Sequence, residues 1–147
     1  MTVLIDADGC PVTDIAVGLC NEFHIPCLIL CDTAHEFHRD GADTLVFDKG
    51  ADSVDYAIAN RVRKNDLVIT QDYGLASMCL SRGCRVLHQD GWEYTCDNID
   101  ALLLVRHESR KHRASGGRFK GPKKRSTQQD QAFETALRDL LQTSVQG

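Results

Sequence analysis

Apolar residues come in two kinds of pattern along this chain, short continuous runs and longer stretches at helical spacing, and the two alternate. Thr2–Ile5 is a short apolar run that ends at Asp6. A Gly-Cys-Pro turn then leads into Val12–Phe23, where Ile15, Ala16, Leu19, Cys20 and Phe23 recur with the period of an α-helix. Pro26–Cys31 is apolar throughout, as expected of a parallel strand buried on both faces, and Thr44–Phe47 is a shorter run of the same kind. The polar stretch Asp32–Asp43 between them, with His35 and His38, reads as a loop.

The second half continues the alternation. Asp52-Ser53-Val54-Asp55 opens a predicted helix whose Val54, Ala57, Ile58 and Val62 share one face, with Ser or Asp suited to capping its first turn. Asp66–Thr70 reads as a strand, Asp72 as the cap of a helix over Tyr73–Ser81, Arg82-Gly83 as its end, and Cys84–His88 as a further strand. A helix from Ile99 to about Arg110, capped by Asp97 or Asn98, and an amphipathic helix over Gln128–Leu141 complete the pattern. Repeated β-α alternation predicts an α/β fold in three layers, a mostly parallel sheet flanked by helices. With 147 residues the chain suits one domain. Residues 1–110 are expected to form its α/β body, 111–126 a basic glycine-rich loop, and 127–147 a C-terminal helix packing on the same body.

Charge sharpens this division. The net charge of −4 conceals an acidic body of −10 over residues 1–105 and a segment of +8 over residues 106–125. That segment holds Arg106, Arg110, Lys111, Arg113, Arg118, Lys120, Lys123, Lys124 and Arg125, interrupted by Gly116, Gly117, Gly121 and Pro122. No apolar run reaches the ~20 residues of a membrane span, and the first residues lack the basic and apolar regions of a secretory signal, so the expected location is the cytoplasm. The seven cysteines are odd in number and mostly sit in apolar stretches, where a reduced thiol packs as a small hydrophobe.

In open α/β sheets ligands collect at the carboxyl ends of the strands. Asp6 and Asp8 follow the first predicted strand, Asp48 the third, Asp72 the fourth and Asp90 the fifth, while Asp52 and Asp55 open a helix. Carboxylates gathered at one rim repel one another unless a cation lies between them, and ligation by oxygen alone suits Mg²⁺ or Mn²⁺. The alternative for each aspartate taken singly is a local role, with Asp52 and Asp72 as helix caps and Asp8 as a turn residue. The basic segment has the composition of a phosphate-binding element, with glycines that permit close backbone approach; the alternative is a solubilising face or a strap against the acidic body. Cys10, at the start of a helix, is read as packing rather than reactive, and Trp92 and Tyr94 as packing rather than base stacking.

Four motifs carry a family resemblance: Asp6-Ala7-Asp8-Gly9-Cys10-Pro11-Val12, Lys49-Gly50-Ala51-Asp52-Ser53-Val54-Asp55, Val68-Ile69-Thr70-Gln71-Asp72-Tyr73-Gly74-Leu75-Ala76, and Ser109-Arg110-Lys111 with Gly116-Gly117-Arg118 and Gly121-Pro122-Lys123. Together they resemble the YaiI/YqxD family of small bacterial proteins over nearly the whole chain, and that family in turn resembles PIN-like domains, metal-dependent ribonucleases. The resemblance implies a PIN-like, Rossmann-like fold. It implies Asp6, Asp52, Asp55 and Asp72 as candidate ligands of Mg²⁺ or Mn²⁺, Asp6, Asp8, Asp55 and Asp72 as candidate catalytic residues, and Asp90 as a fourth acid. RNA is the implied partner, contacted by Arg110, Lys111, Arg113, Arg118, Lys120, Lys123, Lys124 and Arg125.

Two other functions remain open. Leu4-Ile5-Asp6-Ala7-Asp8-Gly9 resembles the nucleophile loop of haloacid-dehalogenase phosphohydrolases, with Asp6 as nucleophile and Asp8 as acid-base, although Cys10 replaces the usual Thr or Val and no later Gly-Asp-x-x-x-Asp motif follows. The other is a non-catalytic RNA-binding module that keeps the fold without the metal chemistry.

Overall fold

A strand whose every side chain is apolar until its last residue must be covered on both faces, and Val3–Asp6 (β1) is buried along its whole length. The computed structural model describes residues 1–8, 10–33, 38–48, 53–102, 104 and 125–146. In it β1 is followed by α1 (Thr13–Phe23), β2 (Cys27–Asp32), β3 (Asp43–Phe47), α2 (Ser53–Arg61), β4 (Leu67–Ile69), α3 (Tyr73–Ser81), β5 (Arg85–Leu87), β6 (Glu93–Tyr94), a helix α4 over 96–102, and α5 (Thr127–Gln146). The strands form one sheet in the order β3-β2-β1-β4-β5-β6, parallel except for β6, which runs antiparallel to β5. Val3 lies beside Cys27 and Leu67, and Ile5 beside Ile29 and Ile69.

Strand alternation divides the core in two. Val3, Ile5, Ile29, Leu67 and Ile69 face α1 and α5, packing with Ala16, Leu19 and Cys20 and with Phe133, Leu137 and Leu141. Leu4, Leu30, Val68 and Val86 face the other way, against Ile58 of α2 and Val62 just beyond it, Leu75 and Cys79 of α3, and Ile99 of α4. This is the three-layer α/β arrangement that the pattern predicts. None of the seven cysteines forms a disulfide, and Cys20, Cys27, Cys31, Cys79 and Cys84 are buried in these layers as small apolar residues. Among the described residues no helix is long and apolar enough to cross a membrane.

Several boundaries differ from the expectation, each for a local reason. Strand β6 is absent from the sequence reading: two residues are too short for a periodic signal, and β6 forms by pairing Val86 with Tyr94 across a tight turn. Helix α4 is capped by Thr95 instead of Asp97 or Asn98; the Thr95 hydroxyl accepts from the Asn98 amide (3.1 Å) and the Asn98 side chain accepts from the Thr95 amide (2.9 Å), a capping box. The expected course of that helix beyond residue 104 lies outside the described residues. Helix α5 runs to Gln146, past the expected Leu141, and Ser126 and Gln129 form the same reciprocal cap at its start.

Docking of α5 depends on Gly91, in the β5–β6 turn. Its φ is +91°, and a Cβ there would lie 2.6 Å from the carbonyl carbon and oxygen of Ala132 in α5. Gly18 in α1 has open space around it. Gly91→Ala is therefore expected to destabilise the protein by at least about 2 kcal/mol through strain and overpacking, whereas Gly18→Ala raises stability by up to about 1 kcal/mol. Urea denaturation of both variants checks this, and an unchanged midpoint for Gly91→Ala would contradict the described helix docking.

Candidate active site at the carboxyl edge of the sheet

Two successive crossovers carry the chain from β1 to β2 and β3 on one side, and α2 then returns it to β4 on the other. The strand order thus reverses between β1 and β4, which opens a crevice at their carboxyl ends, the place where such sheets bind ligands. Asp6 is the last residue of β1, and Thr70, Gln71 and Asp72 leave β4 directly beside it.

A hydrogen-bond chain joins the two strands here. The Thr70 hydroxyl donates to Asp6 Oδ2 (2.8 Å) and accepts from the Asp72 amide (3.0 Å). Asp72 in turn caps α3, its Oδ1 accepting from the Leu75 amide (3.1 Å). The local role foreseen for Asp72 is therefore real, and it leaves Oδ2 outside the cap. Because the Thr70 oxygen faces the Asp72 N–H, its own proton is directed at Asp6, and the three groups have a single sense of donation.

Asp6 is 8% exposed. Burial pushes its carboxyl up from an ordinary 3.8 to about 6; the Thr70 hydroxyl opposes this, and the negative charges of Asp8 and Asp72 add to it. Asp8 and Asp72 therefore both act electrostatically on Asp6. Asp55 lies half-buried in the first turn of α2, and the buried Cys79 thiol, which desolvation pushes up to about 12, feels both Asp55 and Asp6. Among the described residues no group of three or more His, Cys, Asp or Glu side chains lies close enough together to hold a metal ion, so Asp6, Asp55 and Asp72 are not drawn into one complete ligand set here. Asp52, in the segment 49–52, lies outside the described residues, and Asp48 is exposed at the end of β3.

The rest of the rim is held by Arg125. Its guanidinium donates to Asp90 Oδ1 (2.8 Å), to the Gln89 carbonyl and to Asp130, which ties the start of α5 to the β5–β6 turn. Asp90 thus stands in an ion-pair network with Arg125, and its amide is accepted by His88 Nδ1 (3.0 Å). His88 stacks on Trp92 at 4.3 Å, and Tyr94 is buried against both. Burial pushes His88 below its ordinary value, so its ring stays neutral at neutral pH. Burial raises the Cys10 thiol, which favours its packing role. The other predicted basic contacts, Arg110, Lys111, Arg113, Arg118, Lys120, Lys123 and Lys124, lie outside the described residues. Thr70 is the site residue to which the sequence reading gave no role. A threonine ending an apolar strand two residues before an aspartate is its only signal, and that signal is common.

An acid raised by burial lowers stability once it ionises. Below about pH 4 Asp6 is protonated whether the chain is folded or unfolded; between about 4 and 6 the unfolded chain ionises first and stability falls; above 6 the cost is constant at about 3 kcal/mol or less. Asp6→Asn is expected to stabilise the metal-free protein at pH 7.5 by up to that amount, with the gain vanishing near pH 4, as followed by urea denaturation in chelator. Thr70→Val is expected to cost about 1–3 kcal/mol by orphaning the Asp72 amide, and to push Asp6 higher still, readable as a shift of its carboxyl titration by NMR.

Residues 4–143 match the model of the YaiI/YqxD family. A UPF0178 protein of Exiguobacterium sibiricum is 47% identical over 141 residues, covering 96% of each chain. A UPF0178 protein of Clostridium acetobutylicum is 42% identical over 143 residues, covering 96% of this chain and 97% of the relative. Among solved structures, Rae1 (YacP) from Bacillus subtilis aligns with a TM-score of 0.44 at 13% identity, covering 98% of this chain and 99% of that one, a likeness too loose to carry an argument. On the family match and these near full-length relatives, the chain belongs to the YaiI/YqxD family.

Proposed function

We propose that the protein is a metal-dependent nuclease that hydrolyses RNA phosphodiesters at the crevice between β1 and β4. The observation that carries this reading is Asp6: a buried carboxylate at the switch point, raised by desolvation and by Asp8 and Asp72. A cation among these groups would relieve the repulsion. The donors are all oxygen, which fits Mg²⁺ or Mn²⁺; Asp6 and Asp72 would be the first ligands, and an ion would have to draw in Asp55 and Asp52 to complete the set. Such an ion supplies charge to a phosphoryl group and lowers the pKa of a bound water.

The chain's own residues would do the rest. Thr70 fixes the orientation of Asp6, and the cap on α3 fixes that of Asp72. Asp8, two residues beyond β1 and half-buried at the rim, would orient an attacking water. An acidic rim alone repels a polyanion, so the reading also needs the cations of residues 110–124 to hold the phosphates. That segment re-enters the described fold at Arg125, on the same carboxyl edge, which supports it as the substrate-holding element.

The test is cleavage of labelled single-stranded RNA in Mg²⁺, Mn²⁺ or EDTA, with structured RNA, DNA and p-nitrophenyl phosphate as comparisons. Metal-dependent cleavage that falls by about a hundredfold or more in Asp6→Asn, with salt-sensitive RNA binding retained, is the expected result. Turnover of the phosphate monoester alone would make the protein a phosphohydrolase. Binding without cleavage under any metal would make it an RNA-binding module.

A further inference from the structure

Cations on this protein divide by position. Among the described residues Arg39, Arg85, Arg125 and Arg138 each pair with a carboxylate. Arg61, Arg63, Lys64 and Arg82 pair with no described carboxylate; Arg61 ends α2 and the other three lie in the α2–β4 and α3–β5 connections, at the amino edge of the sheet, opposite the acidic rim. Arg61, Arg63 and Lys64 line one cavity of about 350 Å³ whose apolar wall includes Leu4 and Leu28.

The acid in this cavity, Asp66, is already engaged. Its Oδ1 accepts from the Thr2 amide (3.0 Å) and its Oδ2 from the Arg63 amide (2.9 Å), so its oxygens serve the backbone and not the neighbouring cations. The turn that presents Arg63 and Lys64 is held rigid. The Asp66 amide donates to the Arg63 carbonyl (3.0 Å), the Asn65 amide to the Gly83 carbonyl (3.2 Å), and the Cys84 thiol to the Arg63 carbonyl (3.4 Å). Asn65 sits at φ +74°, the left-handed conformation that asparagine adopts more readily than most residues in a tight turn. Arg61 has partial compensation from the carbonyl end of α2 and from the Phe47 ring, 5.4 Å away. Arg63 and Lys64 have neither.

From this we infer that the amino-edge cavity is a second ligand site, which binds a phosphate monoester through Arg63 and Lys64 with Arg61 at its margin. Several cations about one small cavity match a dianion better than a single carboxylate, and the volume accommodates a mononucleotide-sized body against Leu4 and Leu28. A small phosphorylated molecule and the terminal phosphate of an RNA chain share this chemistry. The inference stands on residues remote from Asp6 and does not depend on the nuclease reading.

The experiment is an amide-resolved NMR titration of the full chain at constant ionic strength. The probes are inorganic phosphate, adenosine 5′-monophosphate, adenosine, and a short oligoribonucleotide with and without a 5′-phosphate. Saturable shifts centred on residues 61–66 with phosphate and the monophosphate, absent with adenosine, are expected. Arg63→Gln/Lys64→Gln, whose exposed side chains leave the turn's backbone bonds intact, should weaken binding by about tenfold or more, Lys64→Gln alone by less, and Asp6→Asn not at all. A 5′-phosphate requirement in the oligoribonucleotide with tighter binding than the monophosphate identifies the chain end as the source, and the reverse identifies the small molecule. Absence of saturable shifts at 61–66, or binding indifferent to the double variant, overturns the site.

Discussion

Enclosure of β1 is the constraint on which the structure turns. With β2 and β4 hydrogen-bonded to its two edges and helices on both its faces, Val3, Leu4 and Ile5 reach no water, and the sheet needs two helical layers to satisfy them. The same enclosure extends to Asp6, whose carboxylate ends the strand at the point where the chain reverses its direction of travel across the sheet. A carboxylate placed there is desolvated at a cost to stability. Thr70, just after β4, offsets part of that cost with its hydroxyl and, through the Asp72 amide, links it to the first turn of α3. Fold and candidate chemistry therefore meet in one short chain of donors and acceptors.

Parallel topology also sorts charge. Every connection that leaves a parallel strand begins at the carboxyl edge, and every connection that enters one ends at the amino edge. Asp6, Asp72 and Asp90 follow strands; Arg61, Arg63, Lys64 and Arg82 precede them. The result is a molecule with an acidic rim on one edge and, on the other, a basic group that pairs with no described carboxylate, although the two kinds of residue are interleaved along the chain. Among the described residues Arg125 is the cation at the acidic rim, where its pairs with Asp90 and Asp130 hold the start of α5.

That helix closes the fold. Phe133, Leu137 and Leu141 complete the layer over Val3 and Ile5, and the approach is close enough that Gly91 must lack a side chain. The Arg125 network and the Ser126–Gln129 cap fix where the helix begins, so the end of the basic segment is anchored at the carboxyl edge even though its sequence holds no periodic signal of its own.

Much of this was written in the order of residues. The runs at Thr2–Ile5 and Pro26–Cys31 announced strands buried on both faces because continuous apolarity has no other use in so short a segment, and Tyr73–Ser81 carried its own cap and stop in Asp72 and Arg82-Gly83. The aspartates after the strands could be named because β-α alternation fixes which edge they occupy. Pairing was not legible: β6 exists only because Val86 and Leu87 offer it a neighbour, and Asp97 and Asn98 yielded the cap to Thr95 because capping depends on where backbone amides point. The sequence by itself determined the layers, the strand edges and the acidic character of one rim, since these follow from local hydrophobic period and chain direction. Tertiary structure alone decided that Thr70 touches Asp6, that Arg125 meets carboxylates while Arg63 and Lys64 meet none among the described residues, and that Asp6 is desolvated, since those are properties of neighbours up to 64 residues away in the chain.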